Sequence, residues 1–326
     1  MSRRTRYFLL ASGLIVVGGL GTGLVAVYTG GLPALTKQTL SEFTYIPADS
    51  TAVAYADVRH IMDSEFRQRL RAALSADKAR AKDEFLAETG IDLERDIDTV
   101  VAGISSDTVT SGGPLVLLRG RFDAARVEQA GVKHGATVEE YKGRRLLRAP
   151  EEHGDRQPAI AFLESGLVAV GSIDRVRRSI DAADGRDNVT ANADLMKLVA
   201  DVDRSSDAWI AGRFENMPGH QGWPETVKDQ LGAVQWFALS AGVDRAVTAT
   251  LRAEARDAKA ADDLRGVVNG ALSMARMMAG QDARFSGMLD SVQATGTGTQ
   301  MEVSFTVPPD VVDLMASEHG AQLAPQ

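Results

Sequence analysis

Apolar runs of strand length recur along the chain, and each ends on an acid where helical spacing takes over. The joint occurs at TAVAYADVRHIM with Asp57, LVLLRGRFDAARV with Asp123 and LVAVGSIDRVRRSI with Asp174. It returns at AWIAGRFENM with Glu215, TATLRAEARDAKAADDL with Asp257 and EVSFTVPPDVVDLM with Asp310. Period-two or continuous apolar runs indicate strands, and spacing near 3.6 indicates helices. An acid at such a joint accepts backbone N–H bonds at a helix start and suits the positive end of its dipole. That role accounts for all six acids without catalysis.

The first half reads strand 52–56, helices 59–88, strands 97–105 and 114–121, and helix 123–134. A small hairpin (137–141, 144–148), strands 158–164 and 167–171 and helix 173–183 follow. After a joining helix near 194–202, the second half reads strand 208–213, helix 224–231, strands 233–243 and 246–254, and helix 258–279. Strands 289–295 and 300–307 and helix 310–317 complete it. The halves match apart from the hairpin. The expected fold class is α+β: a duplicated β-α-β-β-α-β-β-α module, with two antiparallel sheets and helices packed on one face. The modules would span 45–190 and 191–315, with a loose tail over 316–326.

The N-terminus changes the picture. Arg3, Arg4 and Arg6 precede an uncharged apolar stretch over 8–28, about the length needed to cross a bilayer. It is longer than a signal-peptide core and ends in Ala26-Val27-Tyr28, a poor cleavage site. Residues 1–36 are therefore expected to be a cytoplasmic basic tip and an uncleaved signal-anchor helix, with 37–44 as a tether. The bulk would lie outside the cytoplasmic membrane. Gly19 and Gly23 form a GxxxG spacing that can favour a homodimer through the span.

The net charge is −8, and about −11 once the three N-terminal arginines are set aside. An acidic exterior repels nucleic acid, so none is expected as a partner. The chain has no cysteine, which excludes thiol catalysis, cysteine-ligated zinc and a lipoprotein anchor.

The search for chemistry returns little. SADK (Ser75 to Lys78) lacks the SDN and KTG companions of penicillin-recognising enzymes. GTGTGTQ lacks the lysine of a phosphate loop. His60, His134, His153, His220 and His319 stand singly. DLERDID places acids at alternate positions but has Ile97 where a calcium loop needs glycine. EEHGDR (151–156) reads as a solvated loop, and Asn188-Val189-Thr190 matches a glycosylation sequon. Arg67, Arg71, Lys78 and Lys82 would form one basic stripe on a single helix, beside acids that pair with it. Leu272, Met274, Met277, Met278 and Met288 read as core packing. Glu42, Asp107 and Glu139 are equally eligible as a carboxylate site, so no catalytic, cofactor or metal residue is singled out.

The stretch YIPADSTAVAYADVRHIMDSEFRQRLR, with TGIDLERDIDTVVAG, YKGRRLL, GLVAVGSIDRVRRSID and SFTVPP, resembles a group of uncharacterised bacterial proteins of acidobacterial type. These are related to a domain-of-unknown-function family whose modules open on P-A-D-S/T. The resemblance implies anchoring outside the cell membrane and implies no activity or cofactor. The leading expectation is an extracytoplasmic interaction or scaffold protein of the cell envelope with a protein partner. The alternatives are a small-molecule or lipid-binding module with a cleft between the halves, and an enzyme with a carboxylate site.

Overall fold

The structure is a computed structural model. It describes residues 41–65, 67, 76–106, 113–150, 157–185, 187–202, 206–213, 232–243, 245–279 and 283–309. The expected membrane span with Gly19 and Gly23, the caps at Glu215 and Asp310, and the helices at 224–231 and 310–317 lie outside these residues. So do Asp107, loop 151–156, His153, His220 and His319. Among the described residues, no helix is long and apolar enough to cross a membrane.

Twelve strands form one antiparallel sheet: β1 (Ser50–Asp57), β2 (Ile97–Ser105), β3 (Leu115–Gly120), β4 (Thr137–Tyr141), β5 (Arg144–Arg148) and β6 (Pro158–Glu164) are the first six. β7 (Leu167–Ser172), β8 (Ala208–Arg213), β9 (Val234–Val243), β10 (Val247–Ala255), β11 (Gln293–Thr295) and β12 (Gln300–Val307) are the rest. Their order is β11-β12-β10-β9-β8-β1-β2-β3-β7-β6-β5-β4. The helices are α1 (Val58–Asp63), α2 (Ala76–Thr89), α3 (Ala124–Lys133), α4 (Ile173–Asp184), α5 (Ala193–Asp201), α6 (Ala258–Ala279) and α7 (Ala283–Ser291).

This corrects the expected fold class. Among the described residues there are not two sheets with helices on one face but one antiparallel sheet with helices on both faces. Along the first half the elements run β1-α1-α2-β2-β3-α3-β4-β5-β6-β7-α4, so the correction falls on the number of sheets and on the placement of the helices. The physical reason lies in β1 and β8. Both are apolar on both faces, as central strands are, and they pair with each other in the register Ala54↔Ile210 and Ala56↔Ala208. Alternation within a strand reports which face is buried but not which neighbour it pairs with, so the seam was not legible.

The seam divides the sheet into flanks: a near flank, β1-β2-β3-β7-β6-β5-β4, and a far flank, β8-β9-β10-β12-β11. On one face of the near flank Val53, Tyr55, Val101, Leu115, Leu117 and Ala169 join Val176 and Ile180 of α4 and Leu195 and Val199 of α5 in the largest core. Trp209 stacks on Tyr55 there, at 6.0 Å between centroids and 21° between planes. On the opposite face Val100, Ala102, Val116, Leu118 and Val170 pack with Val58 and Met62 of α1. In the far flank that opposite face carries Ala253 and Met301 under Ala260, Ala261 and Leu264 of α6.

Local chemistry explains the joints. Asp57 accepts from the His60 N–H (2.9 Å), Asp123 from Arg126 (3.1 Å) and Asp257 from Ala260 (2.7 Å), so these three acids cap helices. Asp174 does not; Ser172 holds the cap position and Asp174 sits in the first turn. The β4–β5 hairpin turns on Lys142 and Gly143, both with positive φ, the two-residue geometry whose twist matches the strands. Residues 289–291 belong to α7, which leaves β11 shorter than expected.

Candidate functional site

Among the described residues, the far flank leaves one face open. Side chains at alternate positions of β9, β10 and β12 point to the face that α4 and α5 cover in the near flank. Here they are polar. Thr248, Arg252 and Glu254 are exposed, and Ser240, Thr250, Glu302, Ser304 and Thr306 are half-buried. The strands beneath are fully paired, with Thr250 opposite Ser240 on one side and Ser304 on the other.

A groove of about 780 Å³ lies where this face meets α5. Its floor is Trp236 and Ala238 of β9, Arg252 and Glu254 of β10, and Glu302 of β12. Its wall is Asp194, Lys197 and Asp201 of α5. Thr295, Gly296 and Thr297 close one end. Leu195 and Val199 fasten α5 to the near-flank core, which leaves Asp194, Lys197 and Asp201 along the groove. Arg252 ties the wall to the floor. Its Nη1 donates to the Asp201 carbonyl (2.9 Å) at the end of α5, and its Nε to Glu302 (2.7 Å). Gly296 has φ +130°, and a Cβ there would stand 2.3 Å from the Gln300 carbonyl oxygen, so the end turn requires glycine.

One row of the floor combines several chemistries. Pairing sets Arg213, Trp236, Glu254 and Gln300 side by side across β8, β9, β10 and β12. The Arg213 guanidinium lies over the Trp236 ring, 4.8 Å from its centroid.

A second cluster sits at the seam. Asp207 precedes β8 and is 2% exposed. Its Oδ2 accepts from the Val243 N–H. Its Oδ1 has no hydrogen-bond donor and lies 3.7 Å from His60 Nδ1. Burial pushes the Asp207 carboxyl up to about 7; the Val243 N–H opposes this and the nearby Asp57 carboxylate adds to it. Burial likewise raises Asp57, against its bonds to the start of α1. Two acids with raised values are what a proton-transfer site would use. Asp57 is engaged as a cap, however, and Asp207 is not among the residues that line the groove.

The structure does not gather the other sequence candidates. Glu42 is buried and accepts from Arg119, which also bonds Glu164. Burial raises the Glu42 carboxyl above its ordinary value. Glu139 pairs with Arg177 at 2.7 Å. Arg67 does not belong to an exposed stripe; it is buried and pairs with Glu94 at 2.8 Å. In DLERDID the acids are spent locally: Asp92 and Asp96 accept loop N–H groups, and Asp98 bonds Arg59. His134 meets Glu88 at 2.6 Å. Asn188 is buried and caps a 3-10 turn by accepting from Thr190 N–H, which leaves the sequon inaccessible. Met277 is 77% exposed and so is not core. Among the described residues no cluster of histidines and acids is placed to hold a metal ion.

Comparison with protein-family models, with curated proteins and with solved structures finds no match. Sequence reasoning missed both clusters. The groove had a signal, the clean alternation VTATLRAEA in β10. Asp207 had none, because its partners arrive from β1 and β9.

Proposed function

We propose that the chain is an interaction or scaffold protein of the bacterial cell envelope, held at the cytoplasmic membrane by the apolar stretch 8–28 with its bulk outside, and that the open far-flank face meets its partner. The observation that carries this reading is the asymmetry of the sheet. The face that is packed under α4 and α5 in the near flank is left polar and open in the far flank, and a groove runs along it. A solvated sheet face needs no groove for stability, whereas concave sites with convergent polar groups are where ligands bind. The three basic residues ahead of the apolar stretch support the location.

The test uses the full chain in whole cells, with a photo-crosslinking residue at Thr250 on the open face or at Val132, exposed on α3. The expected result is membrane-fraction protein with a reproducible adduct at position 250 and none at 132. Equal labelling at both positions, or recovery in the soluble cytoplasmic fraction, would overturn the reading.

A further inference from the structure

We infer that the far-flank groove binds an oligosaccharide of neutral or amine-bearing pyranose units, with the Trp236 ring as its platform. This rests on the reading of the open face as a binding surface and adds the class of ligand.

The groove's floor is made of paired strands. β10 is bonded along its length to β9 on one side and β12 on the other. β10 offers no free backbone edge, and the sheet's free edge lies at β11 beyond the floor, so an extended peptide adding there as a strand would not lie over Trp236. The lining carries four carboxylates, Asp194, Asp201, Glu254 and Glu302, against Lys197 and Arg252. Arg252 is already neutralised by Glu302 at 2.7 Å. With Arg213 beside Trp236 also counted, Asp194, Asp201 and Glu254 stand against Lys197 and Arg213, and this small negative excess disfavours phosphate-bearing ligands, whether nucleic acid, phospholipid headgroup or phosphorylated polymer. Acyl chains need a continuous apolar channel, and the floor interposes Arg252 and Glu254 on β10 and Glu302 on β12.

What remains is a ligand rich in hydroxyl groups. Such a ligand both donates and accepts at each sugar ring, and the groove supplies both roles. Glu254 and the α5 acids accept; Lys197, the Gln300 amide and the hydroxyls of Thr295 and Thr297 donate. A pyranose also presents an apolar C–H face, which needs a flat apolar surface beside the polar groups. Trp236 is the half-buried aromatic ring on this floor. Arg213 on one side and Glu254 on the other flank it in the same cross-strand row. The stacked guanidinium holds the ring against rotation, so its orientation does not have to be fixed on binding. A volume of about 780 Å³ lies within the usual range for small-ligand sites and admits a short oligomer rather than a single sugar. The negative excess favours units bearing a protonated amine over acidic ones.

The experiment is calorimetric titration of the full chain with two probes: a tetramer of N-acetylglucosamine, which is neutral, and its deacetylated tetra-amine. Trp236→Ala and Glu254→Gln are titrated in parallel, each checked for an unchanged melting curve. Binding of at least one tetramer is expected, weakened at least tenfold by Trp236→Ala. Glu254→Gln is expected to weaken the tetra-amine about threefold or more and the neutral tetramer less. Glu254 is exposed, so its variant keeps the test valid even if the tryptophan variant fails to fold. The inference is overturned if neither tetramer binds at millimolar concentration, or if both variants bind as the parent does. A persistent crosslink at position 250 with no sugar binding would sink the oligosaccharide assignment and leave the open-face reading standing. Loss of both would sink the two together.

Discussion

On either side of the β1–β8 seam the strands run in the same order, β1-β2-β3-β7-β6 and β8-β9-β10-β12-β11. The two flanks treat the same face differently. In the near flank Leu115, Leu117, Ala159, Ala161, Leu167 and Ala169 are buried there. In the far flank the corresponding row is built from Thr248, Thr250, Arg252, Glu254, Ser304 and Thr306. The opposite faces are apolar in both. One strand plan thus supports a sheet buried on both sides and a sheet buried on one, and every second residue decides which. The comparison separates packing from exposure: the near face is committed to packing, and the far face is left polar.

The largest test of this division is truncation at matched positions. Leu117→Ala removes a fully buried side chain from the largest core and is expected to cost about 2–5 kcal/mol. Thr250→Ala on the far flank is expected to stay within about 0.5 kcal/mol. Denaturant midpoints of the two variants measure the contrast. Similar losses would mean that the far face is also a packing surface.

The seam itself is tested by pH. Asp207 has its folded value raised to about 7 from 3.8, so between those values the folded chain holds a proton that the unfolded chain has lost. Stability from this group is therefore full below about pH 4, falls as pH rises toward 7, and stays reduced above it. The difference is on the order of 2–4 kcal/mol, since each unit corresponds to about 1.4 kcal/mol. Asp207→Asn should flatten the slope between pH 4 and 7 and stabilise the chain at pH 8. A variant with the parent's pH profile would show that Asp207 is already ionised in the folded state.

A smaller seam effect comes from Gly212. A Cβ there would meet the Ala52 Cβ at 2.2 Å and the Thr51 carbonyl oxygen at 2.7 Å across β1. Gly212→Ala is expected to cost about 1–3 kcal/mol through forced separation of the strands. Thermal melting should then show whether the flanks part in separate transitions or together.

How much of this was legible follows from what each pattern reports. β2, β6, β8, β12 and α6 lie where the apolar runs placed them, because period-two and 3.6-residue spacing are local properties. The caps at Asp57, Asp123 and Asp257 were legible for the same reason. The joining of two expected sheets into one was not, because β1 and β8 lie far apart in sequence and carry no mark of pairing with each other. The helices on both faces follow from apolar residues on both sides of β1, β2, β3 and β7. Continuous apolar runs record such burial without saying which element covers which side. The groove was half legible. Alternation in β10 announced a solvated face, but the α5 wall that makes it concave is a tertiary fact.

The smallest effect bears on how the two flanks are joined at the groove. Arg252 of the far flank reaches across to the last turn of α5, whose Leu195 and Val199 belong to the near-flank core. Its guanidinium is half exposed, as is its partner Glu302. Exposed pairs of this kind contribute about 0.2–1 kcal/mol, and the carbonyl it releases can bond to water. Arg252→Met should therefore lower stability by less than about 1 kcal/mol while speeding amide exchange in the last turn of α5. Arg175 provides the counterweight. It is buried in the near flank, bonded to Asp49 at 3.3 Å and to Ser105, with burial pulling its guanidinium below its ordinary value. Arg175→Met strands a half-exposed Asp49 that retains Arg178, so its cost should exceed that of Arg252→Met without reaching that of a wholly buried charge. If Arg252→Met instead costs more than about 2 kcal/mol, α5 is held mainly from the far flank. The groove wall would then be part of the far flank's own packing, and the contrast between a structural flank and a spared one would have to be redrawn along α5 rather than along the β1–β8 seam.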